Sequence, residues 1–342
     1  LASAMAHVVF RTCYTVVSIP YSALSARMVR DSRERGLLAG VRMIFATLGG
    51  LFTVFMTLPL ATFLGGGDLL TGFLWVGIVY GVLASLIFLV TFFSTREQPP
   101  LASAAPMSLA ASWRLLRGNR ALWVLIGAIV LGSTASAIFG KGLVYYVKYV
   151  AGLDLSITTA LVALTGAVSL SVPLWMLVSR YLDKRMVWLC GSVLTVLAQS
   201  ILYFFPPSGV ATFLAVLALL GAGTAAFNVT FWSMLPDTVE YGEWRSGVRD
   251  EGIVFGLNQL ALKTASGIGI GALGIMLEAI GYVANEPQSA ATVAGMRDLV
   301  ILLPLLLGLL SAAVIAAYPV SRELHGRLLR AIAWRARREA IA

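Results

Sequence analysis

Lys263 is a lone cation in an apolar run. The stretch Asp237–Lys263, DTVEYGEWRSGVRDEGIVFGLNQLALK, opens with a dense polar segment carrying Asp237, Glu240, Glu243, Arg245, Arg249, Asp250 and Glu251, then continues into an apolar helix whose single lysine is Lys263. At about 1.5 Å rise per residue, Lys263 lies roughly 18 Å inside a helix that starts near Glu251, close to the middle of a hydrocarbon core about 30 Å thick. A charge at that depth is costly and is expected to face the protein interior or a water-filled cavity. There it can pair with a carboxylate, a substrate or a cation site; a purely structural salt bridge is the competing reading. Asn258 and Gln259 come about one turn earlier, and Asn258 is expected on the Lys263 face. Polar groups on one helix face can hydrogen-bond a polyol, or simply bond across helices.

Other residue types point the same way with less force. Arg42 is expected about six residues, roughly 9 Å, into its helix, where it either snorkels to the interface or offers a guanidinium fork to hydroxyls or a carboxylate. Tyr14, Ser18 and Ser22 recur at spacing four, with Thr15 beside them and Pro20 in the same helix, giving a mildly polar stripe. Asn228 and Trp232, again four apart, place an amide and an indole on one face, a platform suited to a sugar ring; a packed Trp is the alternative. Lys141 and Lys148 are expected near the outer mouth and interface. The mixed-sign clusters Asp31–Arg35, Asp183–Arg185 and Asp237–Glu251, with Asp31, Arg35, Asp237, Glu240 and Arg249 as their principal members, could act as a cytoplasmic gate of salt bridges, although exposed pairs contribute little.

These residues need a membrane fold to hold them. Of 342 residues, 59% are hydrophobic and only 12% charged, against about 25% charged in soluble domains. The chain therefore reads as an all-α polytopic membrane protein. Nine apolar segments have spanning length: about 2–25, 36–64, 70–94, 121–149, 155–179, 186–205, 209–235, 251–280 and 297–320. The net charge of +9 does not indicate a nucleic-acid partner, because the basic residues sit in alternate short loops and in the tail. Arg27–Arg35, Arg96–Arg120, Arg180–Arg185, Arg245–Arg249 and the arginines from Arg322 onward form the basic set. The opposite connections, GGGD near Gly67, Ala151–Leu153, Pro206–Gly209 and the turn near Pro287, contain no Lys or Arg, with Lys148 and Arg297 at the helix ends beside them. Positive-inside asymmetry places the basic side and the C-terminus in the cytoplasm, as in a bacterial inner membrane. Nine spans then put Leu1 outside, which suggests a fragment; three missing upstream helices would make twelve. The two cysteines, Cys13 and Cys190, give neither a disulfide framework nor a metal spacing, and the two histidines, His7 and His325, have no partner motif.

The polar, Pro/Ala/Ser-rich segment 95–120 divides the chain into a three-helix remainder (1–94) and a six-helix bundle (121–320), followed by a basic tail (321–342). The tail reads as an amphipathic helix on an anionic leaflet. Gly267 and Gly271, and Gly127, Gly132, Gly140 and Gly142, have the small-residue character of close helix packing.

PYSAL at Pro20–Leu24, then DSRER at Asp31–Arg35 and Arg42, resemble the PY-x-AL … D-x-x-ER … R pattern of the glycoside–pentoside–hexuronide:cation symporters, the melibiose permease-like family of the major facilitator superfamily. Asp237–Arg249 followed by Lys263 resembles that family's loop and eleventh helix. The resemblance implies a major facilitator fold with nine of twelve helices present, four to twelve, and alternating access between two bundles. It implies a small-molecule sugar or glycoside carried with Na⁺, Li⁺ or H⁺ as coupling cation and no other cofactor, by a monomer in the lipid bilayer. By position, Arg42 would contact sugar hydroxyls, with Ser18, Ser22, Tyr14, Asn228, Trp232, Asn258 and Gln259 lining the sugar path. Lys263 would serve cation coupling, and Thr15 would be a partial Na⁺ ligand. The melibiose-transporting member has an aspartate at the Ser18 position and a tryptophan at the Ser22 position, so a galactoside is not the expected substrate.

The same fold carrying a lysolipid or other amphipath is the alternative that the weak polarity at Ser18 and Ser22 leaves open. A membrane enzyme is not expected, because His7 and His325 have no partner motif and the acidic residues cluster in one cytoplasmic loop.

Overall fold

The structure is a computed structural model, describing residues 32–95, 116–248 and 251–339 and scattered helical positions between 5 and 21. Most of the expected first span, most of the 95–120 segment and the pair Arg249–Asp250 lie outside the described residues. Regular structure among the described residues is helical, and eight helices are long and apolar enough to cross a membrane. The chain divides into two compact units, Leu1–Pro106 and Met107–Ala342, with the division inside the Pro/Ala/Ser-rich segment.

In the first unit, α1 (Ser32–Gly65) packs on α2 (Leu69–Ser94). The turn between them needs Gly66 and Gly67, whose φ angles are +54° and +104°. Asp68 then starts α2 by accepting from the Leu70 and Thr71 amides at 3.1 and 3.2 Å, satisfying donors that the helix leaves orphaned. Close approach is fixed at Gly72, where a Cβ would fall 2.0 Å from the Ala61 carbonyl oxygen. Helix α1 begins four residues earlier than the apolar pattern suggests. Arg42 therefore lies ten residues from its first residue, roughly 15 Å rather than 9 Å.

The second unit contains six of the spans: α3 (Arg120–Val150), α4 (Ile157–Val178), α5 (Lys184–Phe204), α6 (Val210–Ser246), α7 (Glu251–Ala279) and α8 (Ala290–Ala316). A final helix, α9 (Arg322–Glu339), follows. Helix α6 packs on α4 and α5, while α3 packs on α7 and α8. The α5–α6 contact is nearly backbone to backbone: a Cβ on Gly191 would lie 2.3 Å from Ala226 Cβ and 2.8 Å from the Gly223 oxygen. Trp188 meets Phe227 edge to face at 4.8 Å in a core shared with Leu122, Leu125, Ile129, Phe231 and Met234. Asn119 caps α3 by accepting from the Leu122 amide at 3.0 Å and ties it to α6 by donating to the Thr238 carbonyl at 2.7 Å.

Three features differ from the sequence reading. First, α6 does not stop at residue 235. It runs through Pro236 to Ser246, so the polar segment Asp237–Ser246 is helix and not loop. The polar character that reads as a loop belongs to a helix whose far end packs under α5 and α9. Second, α8 starts at Ala290, where Ser289 accepts from the Thr292 amide at 3.1 Å, so Arg297 lies two turns inside the span instead of at its end. Third, Gly267 and Gly271 do not make a helix contact with the described residues of the second unit. A Cβ on either would meet nothing within 4 Å; the packed glycine of α7 is Gly269, whose Cβ would lie 3.0 Å from the Thr134 oxygen and 3.1 Å from Ala137 Cβ of α3. On α3, Gly132 and Gly142 do sit against Phe227 and Val300, whereas Gly140 faces open space.

Candidate functional site

Helix α7 has two unlike faces. Val254, Asn258, Ala265, Gly269, Leu273 and Leu277 recur at three- to four-residue multiples and are buried. Thr134 of α3 donates its hydroxyl to the Ala265 carbonyl across this seam at 3.3 Å. The other face, with Gly256, Lys263, Gly267, Gly271 and Gly274, is exposed, and a Cβ on any of these four glycines would meet nothing within 4 Å. Lys263 thus projects beside Gly256 and Gly267, with the exposed Leu260 and Ile270 on the same side of the helix. Gln259, four residues before it and half-buried, shares that side.

Asn258 is not on that face. It precedes Lys263 by five residues, not four, and is therefore about 140° round the helix. It is fully buried in the α7 seam, and neither amide atom has a hydrogen-bond partner among the described residues. An unpaired buried amide costs about 1–3 kcal/mol, so a donor and an acceptor are held ready there for a water or a ligand hydroxyl.

Asn228 and Trp232 are both half-buried on α6. Trp232 stacks obliquely on Phe231 at 4.6 Å and leans on the core, so its indole is partly a packing group. Tyr14 is 53% exposed. Arg35 and Arg42 lie in α1. Thr15, Ser18, Ser22, Asp31 and Arg249 fall outside the described residues.

At one end of the second unit, charged groups converge from three helices. Lys184, at the start of α5, donates to both carboxylate oxygens of Asp237 at 2.8 and 2.7 Å and to the Ser233 carbonyl at 2.8 Å, in the turn that Pro236 interrupts. Asp237 is only 6% exposed. His325 of α9 bonds Glu240 through Nε2 and lies 3.5 Å from Asp237 Oδ1. That hydrogen bond to Glu240 raises the His325 pKa above 6.5, against the opposing effect of burial. Tyr318, fully buried just before α9, has its hydroxyl pKa held well above the usual range by burial. The three acidic and imidazole groups bring donor atoms within 4.8 Å of one another. Lys184 already occupies both Asp237 oxygens and Glu240 occupies the imidazole, so the arrangement is an ion-pair cluster closed by its own charges. His325, for which the sequence offers no partner motif, is the residue that sequence reasoning misses here. The signal was the spacing of Asp237 and Glu240, three apart and hence one helix face, had the segment been taken as helix.

The opposite end of the unit has a different character. Helix α3 finishes in a π turn, Tyr146–Val150, and α8 contains another, Asp298–Leu302, packed nearby. Lys148 donates to Asn285 Oδ1 at 2.8 Å, and Tyr203 donates to Asp298 Oδ1 at 2.8 Å beneath the Arg297 guanidinium. Such bulges are frequent at functional sites.

Comparison with known proteins adds to this geometry. The family described as "MFS/sugar transport protein" matches residues 1–322. A glucuronide carrier protein homolog of Escherichia coli (strain K12) is 29% identical over 313 residues, covering 90% of this chain and 68% of its own. The isoprimeverose transporter of Lactiplantibacillus pentosus is 28% identical over 320 residues, covering 90% of this chain and 65% of its own. An inner membrane symporter of Escherichia coli (strain K12) is 27% identical over 325 residues, covering 92% and 69%.

Proposed function

Because the chain belongs to the MFS/sugar transport family and is an integral, multi-pass membrane transporter rather than an enzyme, we propose that it carries a glycoside, pentoside or hexuronide in symport with a cation, Na⁺, Li⁺ or H⁺, by alternating access. The observation that carries this reading is the glycine-rich face of α7, with Lys263 and Gln259 on it. A lysine facing hydrocarbon would be costly. The glycines on that side, Gly256, Gly267, Gly271 and Gly274, leave room for water and a polar solute. In this reading Lys263 holds the charge balance of the cation site, while Gln259, Asn258 and Asn228 present amides to sugar hydroxyls and Trp232 offers an apolar ring face. Arg42 contributes a guanidinium from α1, Tyr14, Ser18 and Ser22 add hydroxyls, and Thr15 is a partial Na⁺ ligand. Asp237 and Glu240 belong to the cytoplasmic gate together with Asp31, Arg35 and Arg249. The protein works as a monomer in a bacterial inner membrane with its C-terminus in the cytoplasm. The relatives named above include a glucuronide carrier homolog and an isoprimeverose transporter, which favours sugars over an amphipath.

The test is uptake of labelled glucuronides, xylosides and isoprimeverose into proteoliposomes holding the full-length protein, under an imposed Na⁺ or H⁺ gradient. Accumulation driven by one gradient is expected. Failure of every sugar to accumulate, from protein shown to be folded, would overturn the reading.

A further inference from the structure

We propose that α9 is a proton-controlled strap, docked across the ends of α5 and α6 while His325 is protonated and released when that proton leaves. The inner side of α9 is apolar: Leu328 is 1% exposed, and Leu324 packs against the core of the second unit. Its outer side, with Arg327, Leu329, Arg330 and Trp334, is exposed. Two arginines tie the strap at its ends. Arg322 donates to the Arg180 carbonyl at 2.7 Å and to the Ser179 carbonyl at 3.3 Å, and Arg335 donates to the Trp244 carbonyl at 3.2 Å, at the C-terminus of α6. A guanidinium stays charged at any accessible pH, so these ties do not titrate.

The middle tie does titrate. His325 faces Asp237 and Glu240 of α6, with Lys184 of α5 and Tyr318 of the segment before α9 completing the surroundings. Lys184 cancels one carboxylate. With neutral imidazole the cluster keeps one uncompensated negative charge in a half-buried place; with imidazolium it is balanced. Histidine is the side chain whose ordinary pKa places its proton exchange near neutrality. The His325 pKa is raised in the docked state, so docking is at full strength below about pH 6.5 and weakens as pH rises through the raised value.

Hydrogen–deuterium exchange of the full-length protein in lipid nanodiscs tests this, read as protection factors for α9 amides corrected for intrinsic rates, from about pH 6 to about pH 9. Wild-type α9 is expected to lose protection from about pH 6.5 upward, by up to about tenfold for each unit by which the His325 pKa is raised, while α3 stays protected. His325→Gln, which cannot take the charge, is expected to give weak, pH-independent protection. His325→Lys, permanently charged, is expected to hold α9 docked throughout. Flat protection in the wild type, wild-type pH dependence in either variant, or a loss shared equally by α3 and α9 would overturn the proposal.

Discussion

Lys184 grips Asp237 through both carboxylate oxygens, at 2.8 and 2.7 Å, and gives its third proton to the Ser233 carbonyl one turn earlier on the same helix. All three ammonium donors are therefore used on α6, and the pair fixes the start of α5 against the turn weakened by Pro236. Removing one partner of a buried pair strands the other, at about 3–5 kcal/mol. Lys184 is 36% exposed, which brings the expectation down to about 2–3 kcal/mol. Lys184→Met should lower the thermal unfolding midpoint in detergent accordingly, and Lys184→Met with Asp237→Leu should regain most of it. A Lys184→Met midpoint equal to the wild type would mean that water already solvates Asp237.

Asn258 should separate stability from function. Asn258→Leu removes an amide with no partner in the α7 seam, so stability should rise by about 1–3 kcal/mol. Sugar affinity should fall about tenfold if the amide meets a substrate hydroxyl at a net cost near 1.4 kcal/mol. Equilibrium binding and thermal unfolding on the same preparation read both quantities. Higher stability with unchanged affinity would remove Asn258 from the sugar path.

Lys263→Ala should abolish gradient-driven uptake while leaving expression intact. Full coupled uptake by this variant would sink its role in cation coupling.

Two glycines should respond oppositely to alanine. Gly191→Ala forces a Cβ to within 2.3 Å of Ala226 Cβ at the α5–α6 contact, and overpacking of this kind costs about 1–3 kcal/mol. Gly271→Ala adds a methyl to open space, so the helix should gain about 0.5–1 kcal/mol. Unfolding midpoints of the two variants give the comparison directly; a stable Gly191→Ala would show that α5 and α6 can separate cheaply.

The membrane character, the spans of the second unit and the family were legible in the residues themselves. Apolar run length marks a helix in lipid almost regardless of context, and Pro20–Leu24 with Asp31–Arg35 carried the family resemblance. What escaped was decided by neighbours. Asp237–Ser246 looks like a loop because its charges suggest solvent, yet Lys184, His325 and Arg335 come from distant parts of the chain to satisfy it. Gly267 and Gly271 have the spacing of a packing motif, but spacing does not say which face a partner helix covers; Gly269, two residues away, took that place. Asn258 was misplaced by simple phase, since a shift of one residue turns a side chain by about 100°.

The length of α6 has a mechanical consequence. Its 37 residues extend roughly 55 Å, well beyond a hydrocarbon core of about 30 Å. The part past Pro236 is therefore a lever arm: a tilt of the membrane-embedded portion by about 10° carries the Ser246 end sideways by several ångströms, given that rise per residue. Helix α9 is fastened to that end through His325 and Arg335. A fluorophore on α9 would accordingly act as a pointer to any tilt of α6.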